Sequence, residues 1–335
     1  MNMNKKLIII SIVLMLVGVI LAAIGFFAGG ATSISLAGHG LTLDYGAPIT
    51  INETMDDFQS IDLDLDYMSE VQLIESDHFG IEATYYNSNG TISYRVENGM
   101  LKVTQDKINH FIGFNFFQPS STFTIHIPSG TSLDNITLNT DTANIVMEDQ
   151  VATNIYIKNA FGKTTLENIE TGVLELEVES GLINLDTVKA ITLSVENDFG
   201  AINLRNIVSN NVDVAAESGS ISVSDLTASN LIVSNDFGKT ELKSITALVL
   251  DATNETGSIK ITDSVVNSSN IENDFGSVEV NLNGNLADYN YNLMSDFGSV
   301  RVNGNKQGNT VTVNNGGSKN LSVKCESGSV IININ

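Results

Sequence analysis

The stretch NDFGAINLRNIVSNNVDVAAESG, residues 197–219, decides the fold because it contains one full period of a repeat. Gly200 and Gly219 stand nineteen residues apart, and the interval continues on both sides without a slip. The glycines in this register are Gly162, Gly181, Gly200, Gly219, Gly238, Gly257 and Gly276. A fixed period near 20 residues is typical of a solenoid, in which each repeat stacks on the next.

The apolar residues follow the same period and indicate strands. Positions two and four residues after each glycine are occupied by pairs such as Ile202 with Leu204, and positions twelve and fourteen by pairs such as Val212 with Val214. A spacing of two places side chains on one face of a strand, and a further apolar position, seven after the glycine, marks a corner. The sequence therefore predicts an all-β fold, a parallel β-helix with 19-residue coils.

The residues around each glycine predict a corner between strands. The residue before the glycine alternates between Phe and Ser or Thr, so the kinase-like triplet Asp-Phe-Gly occurs at Asp198, Asp236, Asp274 and Asp296. No Gly-rich loop or H-R-D loop accompanies it, so a kinase is excluded. The glycine is expected to adopt positive φ. We expect the Phe side chains to fill an inner slot, and a column of Asn to stack as an amide ladder. That column is Asn159, Asn197, Asn235, Asn254 and Asn273.

The rest of the chain divides by pattern into further segments. Residues 131–335 are assigned to the β-helix repeat domain, whose register loosens after Gly276. Residues 56–130 lack the 19-residue period but contain alternating runs such as SIDLDLDY, which predict an antiparallel or mixed N-terminal β cap. Residues 29–55 are read as a linker.

The N-terminal segment is much more apolar than the rest of the chain. Residues 7–28 carry no charge over twenty-two positions, which at 1.5 Å per residue is about 33 Å, enough to cross a bilayer core. Lys5 and Lys6 precede it and predict a cytoplasmic tail at residues 1–6, with the C-terminal domain outside the cell. A single-pass membrane protein is the prediction, and a cleaved signal peptide is the alternative.

Composition restricts the partners. The chain has 39 acidic and 16 basic residues and a formal net charge of −23, which argues against nucleic acid as a ligand. Cys325 is the only cysteine, so the domain is expected to fold without an internal disulfide. We expect Cys325 to pack as a small apolar residue.

An acidic column is the candidate site. It lies two residues before each glycine and consists of Glu179, Asp198, Glu217, Asp236, Glu255 and Asp274. Carboxylates stacked about 4.8 Å apart repel one another, and a divalent cation such as Ca²⁺ would relieve that repulsion. A solvated acidic face, weak Ca²⁺ binding and a basic partner are the three readings of this column. No other cofactor is predicted.

Catalytic motifs are absent from the sequence. The four histidines precede the repeat and show no H-x-x-H or H-E-x-x-H spacing. Carboxylates recur along the whole repeat, so they single out no catalytic pair. We predict no catalytic residues and no enzyme, with a polysaccharide-active β-helical enzyme as the alternative.

The chain resembles the bacterial putative-adhesin family of unknown function. The resemblance rests on FQSIDLDLDYMSEVQLIES (58–76), ISYRVENGMLKV (92–103) and FTIHIPSG (123–130), followed by the glycine rungs, and it covers roughly residues 55–335. It implies a membrane-anchored β-helical ectodomain of a bacterial cell envelope. The predicted role is binding, adhesion or scaffolding toward a cell-wall polymer or envelope protein. An accessory role in envelope-stress sensing, which some relatives suggest, is a further alternative.

Overall fold

The computed structural model describes residues 3–27, 33–37, 40–44, 48–86, 90–106, 110–115 and 120–335. These form one helix, α1 (Met3–Phe27), one short 3-10 helix (Leu286–Asp288) and nineteen strands. The strands before the repeat array are β1 (Ser33–Ala37), β2 (Gly40–Asp44), β3 (Ile49–Thr54), β4 (Ser60–Leu65), β5 (Glu70–Ser76), β6 (Gly80–Tyr85), β7 (Ile92–Glu97), β8 (Met100–Gln105), β9 (His110–Asn115), β10 (Thr122–Pro128), β11 (Ser132–Thr142) and β12 (Asn144–Glu148). The others are β13 (Val151–Leu282), β14 (Tyr289–Ser295), β15 (Ser299–Val302), β16 (Asn305–Lys306), β17 (Thr310–Val313), β18 (Lys319–Ser327) and β19 (Ser329–Ile334).

The predicted solenoid is confirmed in the central array, where β13 runs through successive coils without interruption. Strand β11 pairs with it in parallel at an offset of nineteen residues, as in Ile136 with Ile155. The inward columns are buried: Ile202 and Leu204 after the glycine, and Val212 and Val214 in the second strand, are at most 2% exposed. Each coil therefore adds several buried aliphatic side chains, each worth about 1.5–3 kcal/mol.

A second corner recurs six residues after the glycines from Gly162 to Gly257, and six residues after Ala143. There the backbone adopts the left-handed region with φ of 53–57°. The residues in this column are Asp149, Asn168, Thr187, Asn206, Asp225, Ser244 and Asp263. Asn and Asp tolerate this conformation better than other side chains because their short polar groups can hydrogen-bond locally. The column is visible in the sequence as Asn, Asp, Ser or Thr at this fixed position of the repeat.

At the N-terminal end, the coils do not follow chain order. Strands β4 and β5 pair in parallel with β11 and β12, so residues 60–76 form the coil below the array. Strands β8 and β10 in turn pair in parallel with β4 and β5 and form the outermost coil. Strands β7, β6 and β3 then add antiparallel pairs at the edges. These coils are not consecutive in the chain, which explains why no 19-residue period is visible there.

The C-terminal end shows the same kind of interleaving. Strands β18 and β19 stack on the last coil of β13, with Ile271 opposite Val323 and Val280 opposite Ile332. Strands β14 and β15, although earlier in the chain, form the outermost coil on top of them. Strands β17 and β16 cover β14 and β15 in antiparallel pairs. After β13 the chain therefore forms the outermost coil first, with β14 and β15, and afterwards forms the coil beneath it, with β18 and β19.

The predicted N-terminal helix is present as α1, whereas its predicted role as a transmembrane span at residues 7–28 is not supported. Within the parts of the chain that the structure describes, no helix combines the length and the apolar character needed to cross a membrane. Residues 1, 2 and 28, which belong to the predicted tail and span, lie outside the described residues.

Candidate functional site

The glycine corner is built by backbone contact between coils. The column glycines within β13 have φ between 139° and 157°, which confirms the predicted positive φ. A Cβ added to Gly219 would lie 1.6 Å from the carbonyl oxygen of Gly200, and one on Gly200 would lie 1.8 Å from that of Gly181. No side chain fits in this space, so the glycine is required by close packing as well as by φ. The requirement for close packing between coils could not be recognised from the sequence pattern alone.

The buried Asn column supports this corner, but it does not form the predicted amide ladder. Each Asn side chain instead donates from Nδ2 to the backbone carbonyl sixteen residues earlier. Asn197 reaches Gly181 at 3.1 Å, and Asn254 reaches Gly238 at 2.9 Å. A continuous ladder is not possible because Val178 and Ala216 interrupt the column, and Nδ2 instead pairs the corner carbonyl of the previous coil, which would be costly to leave unpaired. The carbonyls are therefore satisfied across the coil boundary.

Two other residues take the place of Asn in the C-terminal coils. The thiol of Cys325 contacts the Gly276 carbonyl at 3.5 Å, and the hydroxyl of Ser295 donates to the Gly328 carbonyl at 2.7 Å. Cys325 is buried, as expected, and burial raises the pKa of its thiol. It is therefore a poorly reactive group with a structural contact.

The phenylalanines of the corner point outward, so the predicted inner slot is wrong. Phe161, Phe199, Phe237 and Phe275 are 55–59% exposed, and Phe297 is 82% exposed. The reason is the same close contact that requires glycine: stacked corner backbones leave no interior volume for an aromatic ring. We call these five residues the Phe column. The Phe column is therefore an exposed apolar row with one ring in every second coil. The sequence had predicted that these rings lie in the interior.

The Phe column is continuous through the C-terminal crossover. A Cβ on Gly328 would contact the Gly276 carbonyl, and one on Gly298 would contact the Gly328 carbonyl, so the corner glycines stack in the order 276, 328, 298. The residue before each of them then reads Phe275, Ser327, Phe297, which preserves the alternation. The small residues between the phenylalanines are Ser180, Ser218, Thr256 and Ser327, and we call their positions the notches.

The predicted acidic column lies next to the Phe column and faces solvent. Glu179, Glu217 and Glu255 are exposed, and Asp198, Asp236 and Asp274 are half-buried. Through the crossover the column continues with Glu326 and then Asp296. Among the described residues, no three His, Cys, Asp or Glu side chains are grouped so that they could hold a metal ion. Weak Ca²⁺ binding by the column therefore stays a prediction.

A cleft of about 330 Å³ opens beside the first part of the acidic column. Glu177, Glu179, Glu196 and Asp198 contribute to its wall, together with Lys158. The ammonium group of Lys158 lies 2.5 Å from a carboxylate oxygen of Glu177, one coil further along. The hydrogen bond and the charge of Glu177 hold the pKa of Lys158 above its usual value. The cleft is thus acidic, with its one lysine already paired.

Two of the four histidines, His78 and His126, lie together although their spacing in the sequence did not predict it. The rings of His78 and His126 stack with centroids 5.8 Å apart. Nε2 of His126 lies 3.8 Å from a carboxylate oxygen of Glu82, and Nδ1 of His78 contacts Asp77 at 2.6 Å. The hydrogen bond from His78 lowers the pKa of Asp77. This pair lies at the N-terminal end, on strands and turns that are separate from the glycine corner.

Comparison with known proteins places the chain in a sequence family. A family model described as Toastrack DUF4097 matches residues 58–210 and 173–333, and together these ranges cover most of the chain. No curated protein matches it.

The solved structures that match this chain share little of its sequence and have TM-scores below 0.5. A putative adhesin from Parabacteroides merdae is 17% identical with a TM-score of 0.47, over 70% of this chain and 97% of that one. A putative adhesin from Bacteroides fragilis is 12% identical with a TM-score of 0.33, over 86% and 97%. A putative lipid binding protein from Parabacteroides distasonis is 13% identical with a TM-score of 0.29, over 87% and 97%.

Proposed function

The chain belongs to the Toastrack family DUF4097, and we propose that it is a non-enzymatic module of the bacterial cell envelope that displays a β-solenoid for binding or scaffolding. The observation that carries the proposal is the glycine corner, where one apolar and one acidic column run side by side over successive coils. A repeated surface of this kind offers many equivalent contacts to an extended partner, whereas catalysis requires a local group of unlike residues.

The same proposal includes a membrane anchor. It rests on the uncharged residues 7–28 and on exposed apolar side chains of α1 such as Leu14 and Met15, although no helix among the described residues meets the length and apolarity of a membrane span. Lys5 and Lys6 favour a cytoplasmic N-terminus, with the solenoid outside the cell. Retention of the full chain in the membrane pellet after alkaline carbonate washing is the expected result. Its release into the supernatant would contradict the anchor and leave the binding proposal intact.

Co-sedimentation with purified bacterial cell wall tests the binding function. The full chain in detergent micelles is expected to pellet with the wall in a saturable way, and Phe199→Ser with Phe237→Ser is expected to weaken pelleting. The matched control is Val208→Ser with Leu248→Ser, which alters exposed apolar residues outside the Phe column. Equal pelleting of both variants would exclude the corner as the site. Absence of pelleting would exclude a wall polymer and leave an envelope protein as the partner.

The calcium proposal is tested in the same assay. Carboxylates that share a divalent ion bind it through oxygen atoms, so EDTA should weaken wall binding if Ca²⁺ bridges the acidic column to the wall. Asp198→Asn with Asp236→Asn should then remove the effect of EDTA. Pelleting that is unchanged by EDTA would exclude a Ca²⁺ bridge and leave a solvated acidic face or a basic partner as the role of the column.

A further inference from the structure

The spacing of the Phe column defines the partner that it can accept. Neighbouring strands of a sheet lie about 4.7–4.9 Å apart, so phenylalanines in every second coil recur at about 9.4–9.8 Å. The four notches between them carry Ser or Thr, whose small side chains leave gaps between the aromatic rings. A partner that lies along the column must therefore present an apolar group at nearly the same interval.

Three regular peptide conformations can be compared with this interval. A β-strand returns to the same face every two residues, at about 6.6–6.8 Å, which is too short. An α-helix returns after seven residues, at about 10.5 Å, which is too long by nearly 1 Å at each step. A polyproline II helix returns after three residues, at about 9.3 Å, which agrees best. The spacing favours a proline-rich segment with proline at every third position.

The charge around the Phe column selects among proline-rich segments. Each phenylalanine or notch residue after Phe161 is preceded by a carboxylate, and Lys163 and Lys239 follow two of the corner glycines. The ammonium of Lys239 lies 2.5 Å from a carboxylate oxygen of Glu241, so its charge is already compensated. A second copy of this chain, with its own formal charge of −23, would be repelled. A basic segment is attracted by the acidic column.

We propose that the Phe column binds a basic, proline-rich segment of an envelope protein in the polyproline II conformation. One proline of each three-residue repeat sits over a notch between two phenylalanine rings, and Lys or Arg side chains between the prolines reach the acidic column. Proline-rich segments dock on aromatic surfaces in this way because their conformation is preformed and little entropy is lost on binding. The inference rests on the proposed binding function and names the chemical class of its partner.

A peptide titration tests the inference directly. The probe is a fluorescein-labelled fifteen-residue peptide with the repeat Pro-Lys-Ala, titrated with the full chain in detergent micelles and followed by fluorescence anisotropy. The matched peptide has the same composition with irregularly spaced prolines. We expect the regular peptide to bind at least about tenfold more tightly, which corresponds to 1.4 kcal/mol. Equal affinities would overturn the proposal, because they would leave only charge attraction.

Variants of the chain locate the binding surface. Phe199→Ser with Phe237→Ser is expected to weaken binding of the regular peptide at least about tenfold, while Val208→Ser with Leu248→Ser leaves it unchanged. Serine is the natural residue in the intervening coils, so folding of the first variant is expected and is checked by circular dichroism. Asp198→Asn with Asp236→Asn should weaken binding and reduce its salt dependence. An unchanged affinity in the Phe variant would contradict the proposal.

Two further outcomes separate this inference from the proposed function. A cationic heptad peptide that forms a helix and binds more tightly than the Pro-Lys-Ala peptide would replace the proline-rich segment by a helical partner. Wall pelleting that depends on Phe199 and Phe237, without peptide binding, would support the envelope function and overturn the inference. Peptide binding without wall pelleting would support the inference and restrict the function to a protein partner.

Discussion

The central array and the C-terminal end build the same surface from different arrangements of the chain. In the array each coil stacks on the coil nineteen residues before it, as the buried columns show. At the C-terminal end the neighbours are 52 and 30 residues apart, since Ile271 lies opposite Val323 and Val323 opposite Leu293. Nevertheless the corner glycine, the alternation of Phe with small residues and the acidic column all continue through the crossover.

The comparison shows that the residue type at the corner follows the order in which the coils stack, and not their order in the sequence. The glycines at 276, 328 and 298 are needed because each backbone contacts the one below. The returning strand β18 supplies Ser327 between Phe275 and Phe297, which keeps the exposed rings two coils apart. At both ends the chain joins the outermost coil directly to the array, from β10 to β11 and from β13 to β14, and the other coil lies between them.

The largest expected effect comes from adding a methyl group at the glycine corner. Gly219→Ala in the array and Gly328→Ala at the crossover both force Cβ to within 1.6 Å of a backbone oxygen. We expect each to lower the free energy of unfolding by more than about 4 kcal/mol, an exceptional value for one substitution. Urea unfolding followed by circular dichroism measures it.

Gly304→Ala is the control for this prediction. Gly304 also has positive φ, at 79°, but no atom lies within 4 Å of an added Cβ. Its substitution should therefore cost only about 1–2 kcal/mol, the ordinary penalty of a left-handed residue. If Gly328→Ala were as mild as Gly304→Ala, the corner would not be continuous through the crossover.

A smaller effect is expected at the second corner, where one coil has Thr at a left-handed position at which its neighbours have Asn. Thr187 occupies a left-handed position that neighbouring coils fill with Asn168 and Asn206. Thr187→Asn should raise the free energy of unfolding by about 0.5–1 kcal/mol, because Asn tolerates this backbone and a β-branched residue does not. Asn206→Thr should lower it by a similar amount. Opposite signs in thermal unfolding confirm the prediction, and equal signs contradict it.

The smallest effect concerns ion pairs, which differ between the two regions. In the array, Arg205 donates to Asp186 of the previous coil, whereas at the end Lys324 contacts Glu326 within its own strand. The hydrogen bond from Arg205 lowers the pKa of Asp186. A lowered folded-state pKa stabilises the protein above the unfolded pKa of about 3.9, and the stabilisation disappears as the pH falls through the folded pKa.

Arg205→Gln should therefore be less stable than the wild type at pH 7, with a difference that shrinks as the pH falls below about 4. Lys324→Gln should change stability less, because its pair does not connect two coils. Unfolding midpoints at pH 3 and pH 7 give both comparisons. A difference for Arg205→Gln that grows on acidification would contradict the assigned direction of the Asp186 pKa.

The sequence was sufficient to predict the solenoid in the array. Buried aliphatic residues such as Ile202 and Leu231 recur with the period of the coil, and a period of nineteen leaves parallel stacking as the simplest structure. The acidic column could be predicted for the same reason, since it shares the glycine register. Its solvent-facing position follows from alternation along the strand.

The remaining features depend on contacts that periodicity does not encode. The direction of Phe199 is set by how closely two corner backbones approach, which no pattern of residue types reports. The pairing of Arg205 with Asp186 requires both coils in place. The coil order at the C-terminal end did have a signal: Glu326, Ser327 and Gly328 fit the alternation only between the coils of Gly276 and Gly298. Reading it requires the assumption that stacking order can differ from chain order.

Disulfide trapping of the crossover tests most directly the claim that the coils at the C-terminal end stack out of chain order. The native cysteine is first removed by Cys325→Ser, because Ser295 makes the equivalent corner contact in the neighbouring coil. Asn270 is the register partner of Ser322, and Ser322 is that of Asn292. Cα atoms of paired strands lie within the 4.4–6.8 Å that a disulfide spans, whereas two coils exceed it, at about 9.4–9.8 Å. Cysteine pairs at 270 with 322 and at 322 with 292 should therefore oxidise readily, and the pair at 270 with 292 should not. Rapid oxidation of the pair at 270 with 292, with none at 270 with 322, would show that the coils follow chain order and would contradict the continuous corner.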